Sequence, residues 1–275
     1  MTVSLRAAGG ATAEVHLNGA HVTSWRPAPG DDERLFLSAR SSFADGDAIR
    51  GGIPVIFPQC AAAGPLPRHG FARTSRWALG KEAREADGDA TAKFVLTDSP
   101  DTRAIWPASF RATLTVRLGA LSLATTLAIE NTGRAPFLFT AALHTYLRVQ
   151  DVRDAEVVGL HGSRYHESSA PGEFMFDNHE SLRANGEIDR VYVDAPPRLT
   201  LREPHRDLAI ETLNFPDVVI WNPGAEKVAA LKDMEPGGEQ RMLCVEAAAA
   251  QTPVVLEPER RWLATQTLIA QTRVE

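Results

Sequence analysis

Apolar and polar positions alternate with a period of two along most of this chain. The clearest run sets Phe110, Ala112, Leu114, Val116 and Leu118 on one face against Arg111, Thr113, Thr115 and Arg117 on the other. Successive side chains of a strand point to opposite faces, so this run predicts a half-buried strand. Similar runs predict strands at about 91–98, 121–131, 136–149, 155–160, 198–202, 207–213, 217–222, 241–248, 253–256 and 261–272. Turn-forming clusters such as Asn131-Thr132-Gly133 and Glu235-Pro236-Gly237-Gly238 separate them. No long stretch carries the period of an amphipathic helix, and no strand–helix alternation appears. The expected fold class is therefore all-β, a large antiparallel sandwich. No linker, fixed-period repeat or low-complexity tract beyond Ala61–Ala63 and Ala247–Ala250 divides the chain, which is expected to form one domain, 1–275.

Composition narrows the possible partners. With 275 residues, 44% of them hydrophobic, the chain can bury a large core without staples. Its two cysteines, Cys60 and Cys244, lie far apart and outside any CxxC or Cys/His spacing, so neither a disulfide framework nor a zinc site is predicted. No apolar run approaches bilayer length, and Met1 to Gly10 lack the pattern of an export signal. A net charge of -6 without long basic tracts argues against nucleic acid and anionic membranes. A cytoplasmic monomer acting on a small molecule is the expectation. His16, His21, His69, His161, His166, His179 and His205 form no HxH or HExxH spacing, and GxSxG, P-loop and dinucleotide motifs are missing. No metal and no cofactor is predicted.

Against this acidic background, the segment from Ala48 to Lys81 carries Arg50, Arg68, Arg73, Arg76 and Lys81 without one Asp or Glu. Its glycines at 51, 52, 64 and 70 allow close backbone approach, and guanidinium forks match phosphate or carboxylate geometry. The segment reads either as an anion-binding loop or as a solvated surface loop. Two further positions carry candidate chemistry. Alternation in 137–147 sets Thr140, Ala142, His144 and Tyr146 opposite Phe139, Leu143 and Leu147, which puts a histidine above small residues. Glu246 is a carboxylate inside the apolar run 241–249, where it must be paired, solvated or held for chemistry. A structural histidine and an outward-facing glutamate are the plain alternatives to an acid/base pair.

Ordered along the chain stand Gly19-Ala-His-Val-Thr-Ser-Trp25, Leu35-Phe-Leu-Ser38, Ile49-Arg-Gly-Gly-Ile-Pro54, His69-Gly-Phe-Ala-Arg73, Ala142-Leu-His-Thr-Tyr146, Glu187-Ile-Asp-Arg-Val-Tyr192, Val219-Ile-Trp-Asn-Pro223 and Cys244-Val-Glu246. In these motifs, over nearly its whole length, the chain resembles the glucose-6-phosphate 1-epimerase (hexose-6-phosphate mutarotase) group of the aldose 1-epimerase superfamily. The resemblance implies a galactose-mutarotase-like β-supersandwich, a cofactor-free exchange of α and β anomers of a hexose 6-phosphate, and a site on the concave sheet. By position it implies His144 as general acid, Glu246 as general base, Arg50 and Arg73 on the sugar phosphate, and Asp189 on the sugar. Arg68 stands where the family usually has Gln, a departure that either strengthens phosphate binding or alters which hydroxyl is read, and His69 either lines the pocket or braces the loop. Competing readings are an epimerase of unphosphorylated aldoses, a silent carbohydrate-binding module and, last, a glycoside hydrolase, whose usual mechanism wants two carboxylates.

Overall fold

The computed structural model describes residues 1–27 and 32–272. Its strands pair antiparallel in three sheets. The largest, of nine strands, runs Ser181–Leu182, Glu156–Val158, Arg198–Arg202, Arg206–Leu213, Arg261–Thr272, Ser122–Asn131, Phe110–Leu118, Ala90–Thr97 and Ala78–Arg84. The second runs Met175–Phe176, Arg164–Glu167, Ile188–Val193, Asp217–Asn222, Met242–Leu256, Phe137–Leu143 and Val55–Ile56, with Tyr146–Arg148 also paired to Met242–Leu256. Thr2–Arg6, Thr12–His16 and His21–Arg26 form a three-stranded sheet. Helix is confined to short pieces, among them Pro100–Ile105, which Ser99 opens with a capping box. Among the described residues no helix is long and apolar enough to cross a membrane.

The alternation that predicts the strands also builds the core. Phe110, Ala112, Leu114, Val116 and Leu118 are fully buried, and they join one apolar cluster with Phe139, Leu143, Val245, Ala247 and Ile220 of the second sheet. A Leu114→Ala truncation there would cost about 2–5 kcal/mol. The other face of the second sheet points away from this core and carries the site.

Three predicted runs differ in detail. The 241–248 and 253–256 runs are one strand, Met242–Leu256, whose register shifts between Ala249 and Val254. There the Asp217 carboxylate accepts the backbone N–H groups of Ala250 and Gln251 at 2.9 and 2.8 Å. The 136–149 run is interrupted at His144 and Thr145, between Phe137–Leu143 and Tyr146–Arg148. Gln266, a buried residue of the nine-stranded sheet, spans this gap, accepting the Thr145 hydroxyl and donating to the Val245 carbonyl at 3.0 Å. Strands that the pattern does not predict include Arg164–Glu167 and Ile188–Val193, whose polar residues break the apolar alternation. The short Thr2–Arg6 strand offers only Val3 and Leu5 as apolar positions.

Candidate active site

Strand register places the functional side chains in adjacent rows across one sheet face. His166, Val191, Val219 and Glu246 are cross-strand partners in one row. Asp189, Trp221, Cys244 and Tyr146 form the next. Asp217, Ala248, Ala142 and Ile56 form the row on the other side. Because cross-strand partners share a face, residues scattered from 56 to 248 converge. The interruption at 144–145 sets His144 beside Glu246, with Nδ1 3.2 Å from Oε1 and both side chains buried.

The histidine is held by rings rather than by a hydrogen bond. Its Nδ1 is buried without a hydrogen-bonding partner, since the approach to Glu246 is close but off the bonding direction. Tyr146 lies parallel to it, centroids 4.7 Å apart at 8°, while His69 and Trp221 meet it edge-on at 5.6 and 5.9 Å. Burial, reinforced by His69, Arg50 and Arg73, holds His144 well below the ordinary imidazole range. Burial, with Asp189 adding to it and Arg73 and Arg68 opposing it, lifts the Glu246 carboxyl well above the ordinary range. Both shifts favour the uncharged pair of neutral imidazole and carboxylic acid. The ion pair has the same number of protons and differs only in where one of them sits.

The basic segment folds over this pair by way of backbone that only glycine adopts easily. Gly51 has φ +113°, and a Cβ there would lie 2.3 Å from the Phe36 carbonyl; Gly70 has φ +65°, with a Cβ 2.2 Å from the Phe57 carbonyl. His21 donates from Nε2 to the Gly51 carbonyl at 2.6 Å beneath Arg50. Gln59 exchanges hydrogen bonds with the Leu66 backbone at 3.0 Å in both directions and so cinches the loop that leads to His69. Arg73 sits on the turn Ala72–Thr74, pinned by Trp77, whose indole donates to the Ala72 carbonyl at 2.9 Å.

The cations of the segment part company here. Arg50 is mostly buried, donating to the Tyr146 hydroxyl at 2.9 Å and lying 3.0 Å from Asp233. Burial opposes its charge, but Tyr146 and Asp233 outweigh burial and raise its pKa. Arg73 keeps a buried Nε without a partner, and burial together with Arg50 and Arg68 lowers its pKa against the pull of Tyr146. Arg68 is exposed, and its charge is felt at Glu246, Asp189 and His69. Arg76 turns outward to Asp45 at 3.3 Å and Lys81 is exposed on a strand, so neither joins the site.

His69 both lines the site and braces the loop. Its Nδ1 accepts the Ala61 N–H at 3.3 Å, which leaves the proton of the neutral ring on Nε2. Burial and the three neighbouring arginines depress its pKa to about 3. Asp189 is half-buried and accepts the Ser168 hydroxyl, and burial raises its pKa. Sequence reasoning gave no role to Tyr146, Trp221, Cys244 or Asp233. The first three were open to discovery, since each shares strand parity with His144, Glu246 or Val219. Asp233 lies in a loop 183 positions from Arg50 and carries no local signal.

Metal binding finds an incomplete set here. Ligand atoms of His144, Cys244 and Glu246 lie within 4.8 Å of one another. Zinc bonds of about 2.0–2.3 Å would want tetrahedral neighbours about 3.3–3.8 Å apart and a thiolate. Burial instead pushes the Cys244 thiol well up, so a metal would have to contract the set and deprotonate it. A cavity of about 500 Å³ lined by Arg40, Val228, Leu231, Met234 and Glu239 lies beside the site and takes in none of these three residues.

Comparison with known proteins gives the family. Two relatives named "Putative glucose-6-phosphate 1-epimerase" are each 35% identical to this chain. The one from Cenchrus ciliaris aligns over 94% of this chain and 82% of its own, and the one from Escherichia coli K12 over 93% and 86%. The crystal structure of the Salmonella typhimurium YeaD protein, described as a "putative mutarotase", superposes with a TM-score of 0.90 at 28% identity, covering 99% of this chain and 90% of that one. The family model described as aldose 1-epimerase matches residues 1–268, and the chain belongs to the aldose 1-epimerase family.

Proposed function

We propose that this epimerase interconverts the α and β anomers of a hexose 6-phosphate, with glucose 6-phosphate as the first substrate to test. The observation that carries the reading is the buried His144–Glu246 pair, 3.2 Å apart, flanked by Arg50 and by the unspent buried donor of Arg73. Relatives named as glucose-6-phosphate 1-epimerases support the same substrate.

Ring opening removes the proton of the C1 hydroxyl and delivers one to the ring oxygen as the C1–O5 bond breaks. Glu246 as carboxylate takes the first, and His144 as imidazolium gives the second. The open chain then carries an aldehyde at C1. Rotation about C1–C2 presents the other carbonyl face, and the same two groups with roles exchanged close the ring to the opposite anomer. Protons and electrons balance over the cycle. Burial by itself favours the neutral pair, and the substrate's hydroxyl and ring oxygen supply the hydrogen bonds that the ion-pair form needs. Arg50 and Arg73 anchor the phosphate, Asp189 reads a sugar hydroxyl, and Arg68 and His69 close the phosphate end.

Two-dimensional NMR exchange on equilibrated glucose 6-phosphate, with free glucose in parallel, tests the reading. Enhanced α/β cross-peaks for the phosphate ester alone are expected. Equal enhancement of both sugars would make the enzyme a general aldose epimerase, and enhancement of neither would remove the assignment.

A further inference from the structure

Tyr146 shares its strand face with His144 yet has no part in the acid/base scheme. It is 2% exposed, packed among Phe36, Met234, Met242 and Cys244, and so cannot meet the sugar broadly. Two of its contacts matter. Its hydroxyl takes the Arg50 Nη1 hydrogen bond at 2.9 Å, and its ring lies parallel to the His144 ring at 4.7 Å. Trp221 meets both rings edge-on, each centroid 5.9 Å away, and closes the stack from the side.

This arrangement has a mechanical reading. In many acid/base sites a third group orients the histidine through a hydrogen bond to its second nitrogen. Here Nδ1 has no such bond, and the ring plane is set by Tyr146, His69 and Trp221 instead. Of these, Tyr146 alone also binds a cation assigned to the phosphate. The guanidinium–phenol–imidazole series Arg50, Tyr146, His144 thus joins the anchoring end of the site to the reacting end.

We propose that Tyr146 is a positioning residue through which a dianion bound at Arg50 fixes the orientation of His144, so that the phosphate promotes ring opening as well as anchoring the sugar. This rests on the sugar-phosphate reading above. Electrostatics act in the same sense: Arg50 and Arg73 are among the charges that disfavour imidazolium at His144, and a dianion that offsets them favours the acid form.

The test separates the phosphate from the sugar. D-xylose, which is glucose without its C6 carbon, is followed by anomeric exchange with and without phosphite dianion, alongside glucose 6-phosphate, for wild type and Tyr146→Phe. Phosphite is expected to accelerate xylose exchange by wild type. The phenylalanine variant keeps the ring stack but loses the Arg50 bond, so its kcat on glucose 6-phosphate should fall about ten- to a hundredfold at nearly unchanged KM, in line with the cost of a small misplacement. Its phosphite response should vanish. A wild-type enzyme indifferent to phosphite, or a variant that keeps the full response, would overturn the coupling while leaving glucose 6-phosphate exchange intact. Wild-type failure on glucose 6-phosphate itself would instead overturn the underlying reading.

Discussion

The two arginines that flank the pair reach the site in opposite conditions. Arg50 arrives with its charge met, by Asp233 and the Tyr146 hydroxyl, on backbone that His21 holds from below. Arg73 arrives with a buried Nε that no group satisfies, beside two other cations that depress its pKa. A buried donor left unpaired costs about 1–3 kcal/mol, which an incoming anion recovers. On the proposed reading Arg50 is already in place, whereas Arg73 is completed by the ligand. Orientation and affinity are, on that reading, divided between two residues of the same type.

The most severe way to probe this division is to spare both cations and remove the chemistry. Glu246→Gln should retain sugar-phosphate binding, measured by titration calorimetry, while anomeric exchange falls by about 10²- to 10⁴-fold. Substantial remaining exchange would break the assignment. Next in size, Arg73→Ala should raise KM about ten- to a hundredfold with kcat little changed, because what it removes is a charge-assisted contact made in ground and transition states alike. Equal losses in kcat and KM on removing either arginine would erase the contrast between them. Smaller and of opposite sign, Asp233→Asn takes away a carboxylate that competes with phosphate for Arg50, and steady-state kinetics should give a KM about two- to fivefold lower.

The last prediction concerns the support under Arg50. Burial depresses the pKa of His21 to about 4, below its ordinary 6.5. Because the folded pKa is the lower one, the unfolded chain takes up a proton first as pH falls. Stability present above pH 6.5 is lost progressively down to about pH 4, and His21 accounts for about 2 kcal/mol of that loss by pH 5. Urea unfolding of His21→Gln across this range should show a shallower decline than wild type, and an identical slope would exclude His21 as a source.

How much of this was legible depended on whether the signal was local. Alternation at 110–118 is local, and it gave both the strand and its core face. The strands carrying Asp189 and His166 were hidden because the site's own polar residues spoil the apolar pattern that marks a strand. His144 and Glu246 each stood out in their runs, but the sequence motifs implied their partnership without the register that puts them 3.2 Å apart. The reading of the acid-free stretch from Ala48 to Lys81 was incomplete. Its missing carboxylate is Asp233, supplied from a distant loop, and Arg76 and Lys81 face elsewhere. Tyr146 was visible as a neighbour of His144, while its second role needed the position of Arg50.

Gln266 carries a consequence for how this enzyme could diversify. The gap at His144 and Thr145 is bridged from the opposite sheet, by a buried amide that grips Thr145 and the Val245 carbonyl next to Glu246. The spacing of His144 and Glu246 is therefore splinted from behind, while Arg50, Arg68 and Arg73 lie outside the regular strands. Loops grafted in front of the sheet could exchange the proposed phosphate anchor for another sugar-reading surface without disturbing the pair, and an engineer seeking new specificity would leave Thr145 and Gln266 untouched.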